Sequence, residues 1–357
     1  MTKVHNYSAG PCILPQEVLK KASEAVVNFN DLNLSLLEIS HRSKDFVEVM
    51  ENARSLVKEL LGVPEGYQVL FLQGGASLGF LIAAYNFLPI GEKAAYINTG
   101  TWSDNAINEA QRIGEVAEIA SSKDKNYSYI PSGFGIPNNA KFLHYTSNNT
   151  IFGTQFKKTP ISRIPVICDM SSDIFSKKIN VADFDLIYAG AQKNMGPAGT
   201  TVYIVKENAL GKTGNNIPAM LDLQSHIKKD SMFNTPPVYP IYVSMLNLQW
   251  LKKNGGVDWI EKVNNQKAAL LYNEIDRNSL FKGITAKSDR SNMNATFILT
   301  DESLAEEFNK DWAAANINGI KGHRSVGGYR ASMYNALPLE SVQVLVDVMK
   351  EFEKKNA

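Results

Sequence analysis

Sulfur ligands, an excess of one charge and long apolar runs are all scarce in this sequence, and each scarcity removes a class of function. Only two cysteines occur in 357 residues, Cys12 in a Gly-Pro-Cys loop and Cys168 at the end of the apolar run 164–168. Two thiols so placed supply neither a disulfide framework nor a metal-ligand spacing, so no metal is expected and both thiols are expected to be reduced. The 37 basic and 36 acidic residues leave a formal charge of +1. That balance gives nucleic acid or a membrane surface nothing general to bind. No apolar run approaches the roughly 20 residues that cross a bilayer, and the first residues lack the basic and then apolar pattern of a secretory leader. The expected location is therefore the cytoplasm. Nucleotide signatures are missing too: no Gly-x-Gly-x-x-Gly follows the first strand, and no Gly-x-x-x-x-Gly-Lys-Ser/Thr occurs anywhere.

What remains is an ordinary enzyme-sized chain, 44% hydrophobic and 20% charged, of about two domains. Apolar runs of strand length alternate with segments of helical period, the pattern of an α/β fold with a mostly parallel sheet flanked by helices. The runs predict strands at 68–72, 94–98, 142–145, 165–168, 186–189 and 202–205. Helices are predicted from near Pro15, over 46–61 with Gly62 as its stop, over 242–253, and over 259–277 after the Gly255-Gly256 break. A shorter strand-helix-strand-helix region runs from 295 to the end. The expected division is a large domain, 15–257, and a smaller α/β domain, 258–357, joined by the segment 1–14.

Ligands of open parallel sheets bind beyond the carboxyl ends of the strands, so the residues there belong together. The most informative is Lys193, in Tyr188-Ala-Gly-Ala-Gln-Lys-Asn-Met-Gly-Pro-Ala-Gly-Thr200. Small residues and glycines around it let a flat ligand approach the backbone, and burial would lower the pKa of its amine enough for it to attack a carbonyl. The other strand ends carry Gln73-Gly-Gly-Ala-Ser77, Thr99-Gly-Thr-Trp102, Ser147-Asn-Asn-Thr150 and Asp169-Met-Ser-Ser172. A helix start for a phosphate, a ring for stacking, a carboxylate for a pyridine nitrogen and a lysine for an imine are the set that pyridoxal 5'-phosphate requires. Each residue also has an ordinary structural use: a turn with a cap, a packing tryptophan, a loop-capping aspartate, a solvated lysine.

With these segments the chain resembles the phosphoserine aminotransferases of the class V, fold type I pyridoxal-phosphate enzymes. The resemblance extends over Asn6-Tyr-Ser-Ala-Gly-Pro11, Ser40-His-Arg-Ser-Lys44, Gly74-Gly-Ala-Ser77, Thr99 to Trp102, Tyr188 to Thr200, Phe233-Asn-Thr-Pro-Pro237 and Gly322-His-Arg-Ser-Val-Gly-Gly-Tyr-Arg-Ala-Ser332. It implies that Lys193 carries the imine, Asp169 pairs with the pyridinium nitrogen and Trp102 stacks on the ring, these three being the catalytic set. Thr150 and Gln192 would contact the cofactor, and Ala76 and Ser77 would hold its phosphate. Asn234 and Thr235 would complete that phosphate site from the other subunit of a homodimer.

His-Arg-Ser occurs twice, at 41–43 and 323–325, using two of five histidines. Two such pairs converging would bind a substrate phosphate and also accept a carboxylate. Single surface arginines, with Ser43 capping a helix from Lys44, are the plainer reading. Arg330 resembles the family's arginine for the α-carboxylate. Some members have arginine where Ser77 stands, which leaves phosphate recognition here resting on the two His-Arg pairs. The implied reaction joins 3-phosphohydroxypyruvate and L-glutamate to O-phospho-L-serine and 2-oxoglutarate in serine biosynthesis; family members in some bacteria also use 4-phosphohydroxy-L-threonine, in pyridoxal phosphate synthesis. The alternatives are another class V enzyme, such as an alanine-glyoxylate aminotransferase or a cysteine desulfurase, and a catalytically silent ligand-binding protein of this fold.

Overall fold

The computed structural model describes residues 3–356. A two-residue strand, β1 (His5–Asn6), precedes α1 (Gln16–Val27) and α2 (Lys44–Leu61). In α2 the residues Phe46, Val49, Met50, Ala53 and Val57 make one buried face. Ser43 caps it by accepting the N–H of Phe46, and Gly62 ends it in the left-handed conformation.

Next come β2 (Tyr67–Leu72), α3 (Gly75–Phe87), β3 (Lys93–Asn98), α4 (Thr101–Ala110), β4 (Glu115–Ser121), β5 (Ala140–Thr146), β6 (Val166–Asp169), β7 (Leu186–Gly190), the single turn α5 (Ala191–Asn194) and β8 (Thr201–Lys206). Seven of these strands form one sheet in the order β2-β8-β7-β6-β5-β3-β4. All neighbours from β7 to β4 are parallel, and β8 alone is reversed, antiparallel to β7 and β2. The predicted mostly parallel sheet is found. β4 was not among the expected strands because it has no apolar run: it is an edge strand that pairs only with β3, carries Glu115 and Glu118, and buries none of its residues.

Alternate residues of the inner strands point to opposite faces, as the pleat requires. Val69, Phe71, Ala95 and Ile97 join one core with α1, α2 and α7, the last spanning Val238–Lys253, while Leu70, Leu72, Ala94 and Tyr96 join a second core with α3 and α4. Since β2, β3, β5, β6 and β7 run the same way, their carboxyl ends share one edge of the sheet, and the five segments singled out in the sequence start there.

Between β8 and α7 lies α6 (Leu223–Ile227); after α7 come α8 (Gly256–Arg277), β9 (Phe281–Gly283), β10 (Asn294–Leu299), α9 (Ala305–Ala314), β11 (Ile317–Asn318), β12 (Tyr329–Ser332) and α10 (Leu339–Asn356). Strands β12-β10-β9 form an antiparallel sheet, and β1 pairs in parallel with β11. A third core of Phe281, Phe297, Phe308 and Phe352 fills this region and takes in Tyr7 from the N-terminus. Helix α8 serves two cores, with Val257 and Ile260 in the first and Ala268, Leu271 and Ile275 in the third. No helix among the described residues is long and apolar enough to cross a membrane.

Candidate active site

Lys193 lies in α5, the one-turn helix directly after β7. The turn closes at once, because Met195 and Gly196 both donate their N–H to the carbonyl of Ala191. The side chain is directed back across the strand ends. Its Nζ donates to Thr150 Oγ1 at 2.7 Å and sits 4.9 Å from the centre of the Trp102 ring. Burial pulls the amine down to about 8; Asp169 acts in the opposite sense and Arg330 adds to the fall. Lys193 and Trp102 are both partly buried.

Asp169 is the last residue of β6 and is 3% exposed. Its Oδ1 accepts the backbone N–H of Ser171 at 2.8 Å and the Ser171 hydroxyl at 2.6 Å. Burial raises the carboxyl above its usual range, while Lys193 and the two Ser171 bonds pull it back. Among the described residues both donors fall on Oδ1, which leaves Oδ2 to a ligand.

Trp102 stands in the first turn of α4, after Gly100, whose φ of +149° suits only glycine and whose Cβ position would lie 2.8 Å from Asn149 Oδ1. Its Nε1 is buried with no partner. Ala76 and Ser77 lie in the first turn of α3, where amides have no intrahelical acceptor. Gly74 caps that helix with φ +98°. Gln192 precedes the lysine and holds the N-terminal segment, its carbonyl accepting the Cys12 N–H at 3.0 Å.

The remaining residues enter from other elements. Arg330 on β12 donates through Nη1 to the Thr150 carbonyl at 3.3 Å, and its Nε is buried without a partner. Thr150 therefore touches both the lysine and the arginine. His323 and Arg324 occupy the turn before β12, where His323 Nδ1 meets Ser325 Oγ at 2.6 Å. Burial lowers the His323 pKa, with Arg330 and Arg324 acting in the same sense. His41 and Arg42 stand in the turn that ends at the Ser43 cap; Arg42 is exposed and His41 Nε2 is buried without a partner. Within the described chain no hydrogen bond joins the pair 41–42 to the pair 323–324. Asn234 and Thr235 rest on the turn after β2 of their own chain: Gln73 Nε2 donates to the Thr235 carbonyl at 2.7 Å and Asn234 Nδ2 to Gln73 Oε1 at 3.4 Å.

Two contributions rest on contacts that the sequence does not show. Ser171 was visible only as part of a polar run, and nothing in its spacing reveals a hydrogen bond to Asp169. The segment 9–12 covers the lysine turn: the Cys12 thiol donates to the Lys193 carbonyl at 2.6 Å, and Tyr334 Oη donates to the Ala9 carbonyl at 2.8 Å. These contacts span more than 180 residues of sequence, beyond the reach of periodicity.

The chain matches the family model described as aminotransferase class-V over residues 4–345. It is 66% identical over 354 residues to the phosphoserine aminotransferase of Flavobacterium psychrophilum, covering 99% of each chain. Its structure is similar to one solved in a study of radiation damage of the Schiff base in phosphoserine aminotransferase, with a TM-score of 0.96, 45% identity and coverage of 99% of this chain and 100% of the other. The phosphoserine aminotransferase from Bacillus circulans subsp. alkalophilus gives a TM-score of 0.96 at 42% identity, with 99% of both chains covered. The protein whose strand ends gather Lys193, Asp169, Trp102 and Thr150 along one sheet edge thus belongs to the class V aminotransferases, in the phosphoserine aminotransferase family.

Proposed function

We propose that this protein transfers the amino group of L-glutamate to 3-phosphohydroxypyruvate, reversibly, giving 2-oxoglutarate and O-phospho-L-serine for serine biosynthesis. One observation carries the reading: a lysine amine pulled down to about 8 that lies against Thr150 and the Trp102 ring.

Pyridoxal phosphate is the family's cofactor, and the residues fit it. Lys193 offers its amine, Asp169 keeps one carboxylate oxygen free, Trp102 offers a ring, and Thr150 and Gln192 flank them. Ala76 and Ser77 offer first-turn amides to a phosphate. When bound, the cofactor supplies a carbonyl to capture the amino group and a ring that withdraws electrons from the α-carbon. Lys193 would take the proton from the substrate α-carbon and give it to the cofactor carbon that receives the amino group, work suited to an amine near neutrality. Asp169 holds the proton on the ring nitrogen. Arg330 takes the substrate α-carboxylate with the guanidinium N–H groups that its one bond to the Thr150 carbonyl leaves free.

His41, Arg42, His323 and Arg324 bind the far anionic end, a phosphate or the glutamate side-chain carboxylate. Their convergence is assigned to a homodimer. Support comes from apolar side chains that this chain leaves open shortly before the first pair in sequence, Leu34 at 49% and Leu37 at 61% exposed. In the same arrangement Asn234 and Thr235 complete the partner's phosphate site while resting on their own Gln73, so both phosphate turns meet near one two-fold axis. The unit 15–257 then holds the cofactor, and 258–357 with 1–14 brings the substrate arginine. A cytoplasmic location agrees with two free thiols. Desulfurase chemistry is disfavoured, since burial pushes the Cys12 thiol up to about 12 and Cys168 is fully buried.

The purified protein is expected to be yellow and to lose its visible band with L-glutamate; a colourless protein that binds no pyridoxal phosphate defeats the proposal. Arg42→Ala and Arg324→Ala should each lower kcat/KM for phosphoserine by roughly 10- to 150-fold, the range for one hydrogen bond to a charged group. Alanine, with no distal anion, should be spared, whereas Arg330→Ala should impair both. An unchanged ratio of phosphoserine to alanine activity in the first two variants removes the phosphate assignment.

A further inference from the structure

The proposed partner of the ring nitrogen is held by one neighbouring serine. Ser171 is 4% exposed and directs two donors, its backbone N–H and its hydroxyl, to the same oxygen of Asp169, at 2.8 and 2.6 Å. A hydroxyl has one proton, and here it is committed to the carboxylate. The serine oxygen in turn accepts the backbone N–H of Gly190 at 3.1 Å. Gly190 ends β7 and is the N-cap of α5, three residues before Lys193. The hydroxyl is thus a fixed bridge from the carboxylate on β6 to the turn that carries the lysine.

We infer that Ser171 is a positioning residue of the transamination site: it fixes the rotation of the Asp169 carboxylate so that Oδ2 is presented to the pyridine nitrogen, and it ties that carboxylate to the lysine turn. A carboxylate at a strand end can otherwise turn about its last bond and offer either oxygen at a range of angles. Two donors on Oδ1 remove that freedom. They also oppose the tendency of burial to neutralise the acid, which keeps a negative charge beside the ring nitrogen. The inference rests on the assignment of Asp169 to that nitrogen.

The test titrates ligand-free protein with pyridoxal phosphate and with the analogue in which carbon replaces the ring nitrogen. For each variant the ratio of the two affinities is the readout, because any general loosening of the site affects both ligands and cancels. Ser171→Ala should weaken pyridoxal phosphate by roughly tenfold, the worth of one hydrogen bond to a charged group, and leave the analogue unaffected. Ser171→Thr, which restores a hydroxyl, should recover the ratio. Asp169→Ala should lower the ratio further, and adding Ser171→Ala to Asp169→Ala should change it no more, since the serine acts only through the carboxylate. In turnover, Ser171→Ala should lower kcat with little change in KM. If Asp169→Ala lowers the ratio and Ser171→Ala does not, the role given to Ser171 is wrong. If Asp169→Ala itself leaves the ratio intact, the assignment of Asp169 fails first.

Discussion

At Lys193 a single side chain carries two signals with one cause. Burial disfavours its charged form and pulls the amine to about 8, below the ordinary lysine value near 10.5. In the interval between, the unfolded chain binds more protons than the folded one, so the stability contributed by this group rises with pH across that window. Ligand-free protein should therefore gain stability relative to Lys193→Ala as pH climbs from about 8 to about 10.5, measured by urea midpoints of the two proteins. A difference that shrinks over the same range would mean the amine is not desolvated. The same amine must be neutral to attack a carbonyl, so loading of the ligand-free protein with pyridoxal phosphate should accelerate through pH 8 and level off above it. Loss of covalent loading in Lys193→Ala, with the fold intact by circular dichroism, separates chemistry from stability.

Among the elements, α8 contributes the least expected feature, a fully buried lysine. Lys267 is 0% exposed and donates to the carbonyls of Met333, Tyr334 and Leu337 at 3.0, 2.8 and 3.2 Å. Burial pulls it to about 7. These carbonyls belong to the segment that leaves β12, the strand of Arg330, and the next link leads to the site: Asn335 donates its N–H to Asn194 Oδ1, beside Lys193. Lys267→Met has nearly the same length, but it leaves three buried acceptors without their donor. It should cost about 2 kcal/mol or more, read as a lower urea midpoint with an unchanged slope. A variant as stable as the parent would show that water or another donor satisfies this turn.

On the scale of the whole molecule, the question is which chain completes each phosphate site. Asn234 and Thr235 lie beside their own Gln73, yet the proposed dimer has them serve the partner. Mixing refolded subunits decides it. Lys193→Ala alone should be inactive, and a subunit with Asn234→Ala and Thr235→Ala should be severely impaired. If the residues act across the interface, hybrid dimers regain one intact site, made from the Lys193 of one subunit and Asn234 and Thr235 of the other. If they act within their own chain, no hybrid contains an intact site and mixing restores nothing.

Much of the fold was legible in the sequence, since buried strands are written as apolar runs and α2 as an apolar stripe between Ser43 and Gly62. β4 was not, because an exposed edge strand needs no apolar run; nor were β1 and β11, whose two-residue pairing is set by distant chain. The site was legible to the extent that its residues follow strand ends: Lys193, Asp169, Trp102 and Thr150 could be gathered because parallel strands share a direction. The residue types alone therefore determined the chemistry on offer, an amine, a carboxylate and a ring at one sheet edge. Only the tertiary structure decided what state those groups are in. Burial lowers the Lys193 amine, Ser171 fixes Asp169, and segment 9–12 packs on the lysine turn, because desolvation and hydrogen-bond geometry depend on which distant segments share a volume and not on the order in which the chain presents them.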